Sequence, residues 1–304
     1  MPDPDTARTD SRTRHLLDVL DAAGRKAGIP VTDAELIRDG ANALYRLPDG
    51  VVARIGPPGT FTGAERQIHA SRWLAEADVP VVRVIEDIDQ PTLVGDQPVT
   101  WWEELPEHRH ATPTELGAVL KRLHALPIPE WPSFSAVDPF DGLVEAIENG
   151  TALPADDRNW LADLAERLCA EYVELVPGLS RCVIHGDAWQ GNVVVPVSGG
   201  SPVLLDLDHI GTGPREWDLV SLAVDFTDFA RVPQADYDAF VAAYGGYDMT
   251  SSPGYRTLAT NRELRWTAFV LGKADTSPQA AQEVRHRVAC LRGQVSRPWT
   301  WSAF

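Results

Sequence analysis

Between residues 183 and 208 the chain reads VIHGDAWQGNVVVPVSGGSPVLLDLD, in which two carboxylates and an amide fall at the spacing of an oxygen-ligand site. The apolar pair at 183–184 predicts a short strand, 185–192 a polar loop, 193–197 a second strand, 198–201 a turn and 203–205 a third strand. Asp187 then stands in the loop, Asn192 ends it, and Asp206 closes the last strand, where a hairpin returns it to the neighbourhood of Asn192. Ligands that are all oxygen suit Mg²⁺, which keeps several waters and binds through one or two carboxylates plus substrate phosphates. A transferable phosphate is therefore implied. His-Gly-Asp alone also fits an ordinary turn in which Asp bonds its local backbone. A turn does not account for the Asn, the hairpin and the strand-terminal Asp that follow.

Asp187 precedes Asn192 by five residues, the spacing of the kinase pattern D-x-x-x-x-N, in which the carboxylate accepts the proton of the attacking hydroxyl and the Asn holds a metal. HGDAWQGN resembles the H-G-D-x-x-x-x-N loop of the aminoglycoside phosphotransferase and choline-kinase-like family, small-molecule kinases with a protein-kinase-like fold. LLDLDHIGTGPREWDLV is similar to that family's metal-carboxylate segment, glycine-containing turn and Asp before a helix. The resemblance covers about residues 35–270 and is strongest over 183–220. It implies an α+β, two-lobed fold: a small antiparallel-sheet N-lobe over 1–105 and a larger, mainly helical C-lobe over 106–304. It further implies ATP or GTP as co-substrate, Asp187 as the base, Asn192 and Asp206 as Mg²⁺ ligands, and Asp218 as a brace on the catalytic loop. Asp208 matches a second acidic position that some members have, which makes it a further candidate metal ligand.

The first lobe must hold the nucleotide. ELIRDGANALYRLPDGVVARIG reads as strand, turn, strand, turn, strand, with Asp49-Gly50 as a hairpin signal and Gly40 and Asn42 marking the earlier turn. In the family that first turn lies over the phosphates, where small residues let backbone N–H groups approach; G-A-N-A is not G-x-G-x-x-G, and an ordinary hairpin reads the same. Alternation in VVARI places Val51, Ala53 and Ile55 on one face and Val52 and Arg54 on the other. Arg54 occupies roughly the position of the kinase lysine that grips the α- and β-phosphates; arginine is a fixed cation with a longer, planar fork. A helix over 62–77 carries Glu65, which has two readings: partner of Arg54, or arm of a capping box that starts at Thr62. The linker near Glu103 and Leu105 is implied to offer backbone groups to the base, with Trp101 and Trp102 flanking it; adjacent strand residues point opposite ways, so at least one belongs to the core.

The remaining elements follow from periodicity and caps. A loose polar segment over 1–12 precedes a helix over 13–27, with Leu16, Leu17, Leu20 and Ala23 on its apolar face. Thr112-Pro113-Thr114-Glu115 is a capping box with Pro at the first helical position, and Leu116, Val119, Leu120 and Leu123 form the buried stripe behind it. His124 at its end reads as a packed or hydrogen-bonded histidine. Further helices are expected over 216–229, 235–244, 255–271 and 278–291, and the aromatic tail SRPWTWSAF is expected to dock. Trp189, two residues after the base, either stacks on a sugar ring or holds a cation, or packs beneath the loop.

With 304 residues, 44% of them hydrophobic, the chain can bury a core in each of two lobes. No stretch approaches the roughly 20 apolar residues of a membrane span, and the N-terminus lacks the apolar core of a signal peptide; a cytoplasmic location is the expectation. Three cysteines at irregular spacing, Cys169, Cys182 and Cys290, exclude a disulfide framework or a Cys-x-x-Cys zinc site and read as buried thiols. The net charge of −17 disfavours nucleic-acid and anionic-membrane partners. It is compatible with a cationic acceptor, and equally with plain solubility. Three readings remain open: a kinase for an aminoglycoside-like antibiotic or aminosugar; a metabolic kinase for choline, a hydroxy amino acid or a simple sugar; and a nucleotide-binding pseudokinase. Asp225, Asp228 and Glu263, with the terminal carboxylate of Phe304, are the candidate lining for a cationic acceptor.

Overall fold

The computed structural model describes residues 4–175 and 179–304. The chain divides into two compact units. The first comprises the described residues up to His110 together with 129–134 and 192–210; the second comprises 111–128, 135–191 and 211–304. The division is discontinuous because the hairpin expected after Asn192 pairs with strands of the first unit.

The first unit is an antiparallel sheet with a helix on each face. Strands β1 (Glu35–Asp39), β2 (Ala43–Leu47), β3 (Val51–Ile55), β4 (Thr92–Val94) and β5 (Gln97–Glu103) lie in the order β1-β2-β3-β5-β4. The tight connection between β2 and β3 runs through Asp49 and Gly50, both at positive φ, as the Asp-Gly signal requires. The alternation in β3 holds: Val51, Ala53 and Ile55 face the cluster that includes Leu16, Leu20 and Trp101, whereas Val52 faces Ile68, Val84 and Trp102. Helix α1 (Pro4–Ala27) covers the first face with Leu16, Val19, Leu20 and Ala23, and Leu17 is exposed. Fully buried aliphatic side chains such as Leu20 and Ile55 contribute about 1.5–3 kcal/mol each. The helix begins nine residues before the expected start at residue 13, so the segment read as loose is helical from Pro4; its first three residues lie outside the described residues. Arg12 on that early turn donates to both oxygens of Asp39 at 2.8–3.2 Å.

Helix α2 (Phe61–Glu76) covers the other face. Both tryptophans of the TWWE strand are core: Trp101 donates through Nε1 to Thr92 Oγ1 at 3.1 Å and Trp102 to Thr100 Oγ1 at 2.7 Å. Neither flanks a base, because the sheet is covered on both faces. A second sheet in this unit joins β6 (His108–His110), β8 (Val193–Pro196) and β9 (Val203–Leu204) in the order β6-β8-β9.

The second unit is mainly helical. Helix α3 (Pro113–His124) starts on the expected capping box: Thr112 Oγ1 accepts from Glu115 N at 3.3 Å and Glu115 Oε2 accepts from Thr112 N at 2.8 Å. It packs on α7 (Gln234–Tyr244) so closely that a Cβ on Gly117 would lie 2.7 Å from the Phe240 carbonyl oxygen. Helices α4 (Leu143–Glu148), α5 (Ala155–Leu175), α6 (Glu216–Thr227), α8 (Tyr255–Ala274) and α9 (Pro278–Leu291) complete it. A two-stranded ribbon pairs β7 (Arg181–Ile184) with β10 (Gly211–Pro214); the latter had read as a glycine turn. The aromatic tail docks as expected, with Trp299 and Trp301 buried and stacked at 5.4 Å. Cys182 and Cys290 are buried as expected, whereas Cys169 is only half-buried; burial pushes the Cys182 thiol up to about 12. No helix among the described residues is long and apolar enough to cross a membrane.

Candidate active site

In the second unit the loop after β7 is held by the first turn of α6. Gly186 sits at φ 83°, where a side chain would be strained. Asp218 Oδ2 accepts from the His185 amide at 2.7 Å and Oδ1 from the Gly186 amide at 2.8 Å. His124 Nε2 lies 3.0 Å from Asp218 Oδ2, and His124 Nδ1 lies 2.8 Å from the Tyr244 hydroxyl. An ionised carboxylate only accepts, so Nε2 carries the hydrogen. Burial pushes the Asp218 carboxyl up; the His124 bond, the two histidines and the His185 amide outweigh it, and the carboxyl titrates below its ordinary value. The brace expected of Asp218 is present, and His124 is the structural histidine its position suggested.

Two contacts were not foreseen. Trp217 donates through Nε1 to the Gly186 carbonyl at 3.0 Å, and Arg262 on α8 donates from Nη1 to Asp187 Oδ1 at 3.1 Å. The signal for Arg262 was available: it falls on the apolar stripe of α8 with Leu258 and Ala259, where an arginine needs a buried partner. Trp189 is 50% exposed and packs on Gly191, where a Cβ would meet its ring at 2.1 Å.

Asn192, Asp206 and Asp208, which the boundary at 105/106 assigned to the larger lobe, fall in the first unit together with Arg54. Asn192 ends the short turn Gln190–Asn192, and its carbonyl oxygen accepts from the Leu205 amide at 2.9 Å, which brings the two ends of the β8–β9 hairpin together. Asp206 follows in the left-handed region (φ 53°, ψ 67°), which Asp tolerates better than most residues with a side chain. The Asn192 amide and the Asp206 carboxylate, 45% exposed, are hard oxygen donors of the kind Mg²⁺ takes alongside substrate phosphates. Among the described residues no cluster of three or more His, Cys, Asp or Glu side chains could hold a metal.

Asp208 is engaged otherwise. Arg54 Nη2 donates to its Oδ1 at 2.6 Å and Oδ2 at 2.5 Å, and lies 4.0 Å from Asp206. Arg54 Nη1 donates to Gln67 Oε1 at 2.6 Å. Neither reading of Glu65 holds. Among the described residues it makes no ion pair with Arg54, and α2 is preceded by Thr60 with no side-chain cap, so no box starts at Thr62. Residues two apart are about 200° apart around a helix. The turn that aims Gln67 at Arg54 therefore aims Glu65 elsewhere.

Arg54 and Asp208 line a cavity of about 250 Å³ with Asn42, Gly56, Thr60 and Gly63. Gly40 is not part of its lining; its amide donates to the Asn42 carbonyl at 3.2 Å and closes the β1–β2 turn. Glu103 ends β5 with its side chain exposed and its amide on the Arg83 carbonyl, and Leu105 is half-buried.

Three of the carboxylates expected to line a cationic pocket, Asp225, Asp228 and Glu263, are used internally. Asp228 pairs with Arg256 at 2.8 Å and Arg297 at 2.7 Å, Glu263 with Arg256 at 2.8 Å, and Asp225 with Arg231 at 2.9 Å. Asp228 and Glu263 are also buried. They pair with arginines of α8, the tail and the segment after α6, and they do not line an acidic cleft.

The sequence matches the model of the phosphotransferase enzyme family, APH, over residues 33–259. The fold is similar to aminoglycoside phosphotransferase APH(3'')-Id from Streptomyces rimosus (TM-score 0.62, 21% identity, 83% of this chain and 98% of that one). It is also similar to a choline/ethanolamine kinase family protein from Mesorhizobium loti (TM-score 0.62, 18% identity, 89% and 93%) and to choline kinase LicA from Streptococcus pneumoniae (TM-score 0.65, 13% identity, 91% and 99%). Comparison with curated protein sequences gives no match.

Proposed function

The chain belongs to the phosphotransferase enzyme family, and on that premise we propose that this small-molecule kinase moves the γ-phosphate of ATP or GTP to a hydroxyl of a small molecule, with Asp187 as the general base. The observation that carries the reading is the framing of Asp187: the preceding loop backbone is held by Asp218 and its carboxylate by Arg262. A loop kept only as a turn has no use for a buried arginine on its solvent-facing carboxylate.

Asp187 would orient the acceptor hydroxyl and take its proton. Asn192 and Asp206 would hold Mg²⁺, which when bound neutralises charge on the β- and γ-phosphates. Arg54 is a fixed cation on the wall of a cavity in the first unit and would take the phosphates there, exchanging contact with Asp208 for contact with the nucleotide. The chain keeps the base and both oxygen donors, which speaks against a pseudokinase.

The acceptor we favour is an aminosugar or aminoglycoside-like compound. The half-exposed Trp189 ring, two residues from the base, supports this because an indole face suits a sugar ring. The alternative is choline or another small alcohol. Related folds bear on both: one structure is a complex with ADP and streptomycin and another with GDP and kanamycin, while others are choline or ethanolamine kinases. The test is nucleotide turnover, with Mg²⁺, against a panel of aminoglycosides, aminosugars, simple sugars, hydroxy amino acids and choline. Asp187→Asn should retain nucleotide binding and lose transfer by about 10²- to 10⁴-fold. Turnover within a few-fold of the parent, with chemistry rate-limiting, would remove Asp187 from the mechanism.

A further inference from the structure

Arg262 is only 5% exposed, in a place where a charge is expensive to keep. Its guanidinium lies 4.1 Å above the Trp217 ring, Nη2 donates to the Trp217 carbonyl at 3.4 Å, and Nη1 donates to Asp187 Oδ1 at 3.1 Å. Among the described residues its buried Nε has no hydrogen-bond partner. Burial pushes the guanidinium below its ordinary value, and the largest opposing influence is the Asp187 carboxylate. A helix does not bury a half-satisfied arginine for its own stability, since an apolar side chain of similar size would pack there without desolvation.

We propose that Arg262 is a positioning residue of the phosphotransferase, clamping one oxygen of Asp187 so that the carboxylate plane is set toward the acceptor hydroxyl; the assignment rests on Asp187 being the base. The support is rigid at each step. Trp217 is buried, its ring fixes the guanidinium plane, and its Nε1 is tied to the Gly186 carbonyl one residue before the base. Asp218, next to Trp217, holds the two amides before Asp187. The first turn of α6 therefore fixes the loop backbone and, through the ring of Trp217, the arginine that fixes the side chain. Arg265, one turn further along α8, donates to the Pro139 and Asp141 carbonyls and braces the neighbouring segment.

A misplacement of about 1 Å costs on the order of 10²-fold in rate. Arg262→Gln, which keeps hydrogen-bonding capacity and loses the fork and charge, should lower kcat by about that factor while nucleotide Kd and acceptor KM stay within about threefold. Arg262→Lys keeps a charge and loses the planar stack, and should recover part of the loss. Rates are read as phosphate release from MgATP with water as acceptor and as transfer to an accepting compound of the panel; urea unfolding confirms that each variant is folded. In the Asp187→Asn background Arg262→Gln should change the residual rate less than twofold, a coupling that a purely structural arginine would not show. If Arg262→Gln does not fold, Arg262→Lys decides: a kcat within twofold of the parent overturns the proposal, as does a parent-like kcat in folded Arg262→Gln. Should Asp187→Asn itself retain turnover, the base assignment fails and takes this proposal with it. Loss in Asp187→Asn alongside parent-like Arg262 variants rejects the clamp alone.

Discussion

Replacing Asp218 by Asn tests how the catalytic loop is held, and the structure sets the magnitude. Three donors converge on this carboxylate: the amides of His185 and Gly186 and the Nε2–H of His124. An Asn side chain of the same shape has one acceptor oxygen. If that oxygen takes the place of Oδ2, the Gly186 amide faces an NH₂ group; if it takes the place of Oδ1, the His185 amide and His124 do. At least one buried donor is orphaned either way, and the remaining bonds lose their charge. An orphaned donor costs about 1–3 kcal/mol and a charge-assisted bond contributes about 1.5–3, so the variant should be less stable by roughly 2–4 kcal/mol. Displacement of the loop by about 1 Å should lower kcat on the order of 10²-fold. Nucleotide affinity, which the proposed function assigns to residues of the first unit, should stay within about threefold. Urea unfolding by circular dichroism, titration calorimetry with MgATP and steady-state kinetics read the three quantities. A variant within about 0.5 kcal/mol of the parent and within threefold in kcat would refute the brace.

Asp206→Ala should abolish metal-dependent nucleotide binding, and unchanged affinity with and without Mg²⁺ in calorimetry would end its assignment as a ligand. Gln67→Leu should raise the nucleotide KM about tenfold by releasing one end of Arg54, a bond to a charged group being worth about 1.5–3 kcal/mol at most, whereas Glu65→Ala should change it less than twofold; equal effects would show that Gln67 is not the anchor. Burial, reinforced by the hydrogen bond to Asp228, pushes the Glu263 carboxyl well above its ordinary value. Its contribution to stability is complete below the unfolded carboxyl value and is lost as pH rises through the folded one. Glu263→Gln should therefore remove a loss of stability that the parent shows as pH rises above the unfolded carboxyl value, and parallel melting curves for parent and variant across pH would contradict this. Asp218, depressed, contributes in the opposite sense, with stability present above the unfolded value and lost in acid as pH falls through the folded one.

What the sequence alone determined is what neighbouring residues determine. The capping box at Thr112 and Glu115, the Asp-Gly turn before β3, the alternation that splits Val52 and Arg54 from Val51, Ala53 and Ile55, and the loop-and-hairpin carrying Asp187, Asn192 and Asp206 depend on torsions and periodicities spanning a few residues. Periodicity assigns a residue to a face, and it does not name what that face meets. Arg54 found its anion 154 residues away in Asp208, and Asp187 found Arg262 across 75 residues. Glu65 was the nearer candidate for Arg54 and lost to Gln67 because the rotation of α2 points Gln67 at the sheet. The same limit governed charge. Asp225, Asp228 and Glu263 read as an acidic lining until packing set an arginine against each of them, because a carboxylate taken from water needs a cation beside it and only the tertiary structure chooses which.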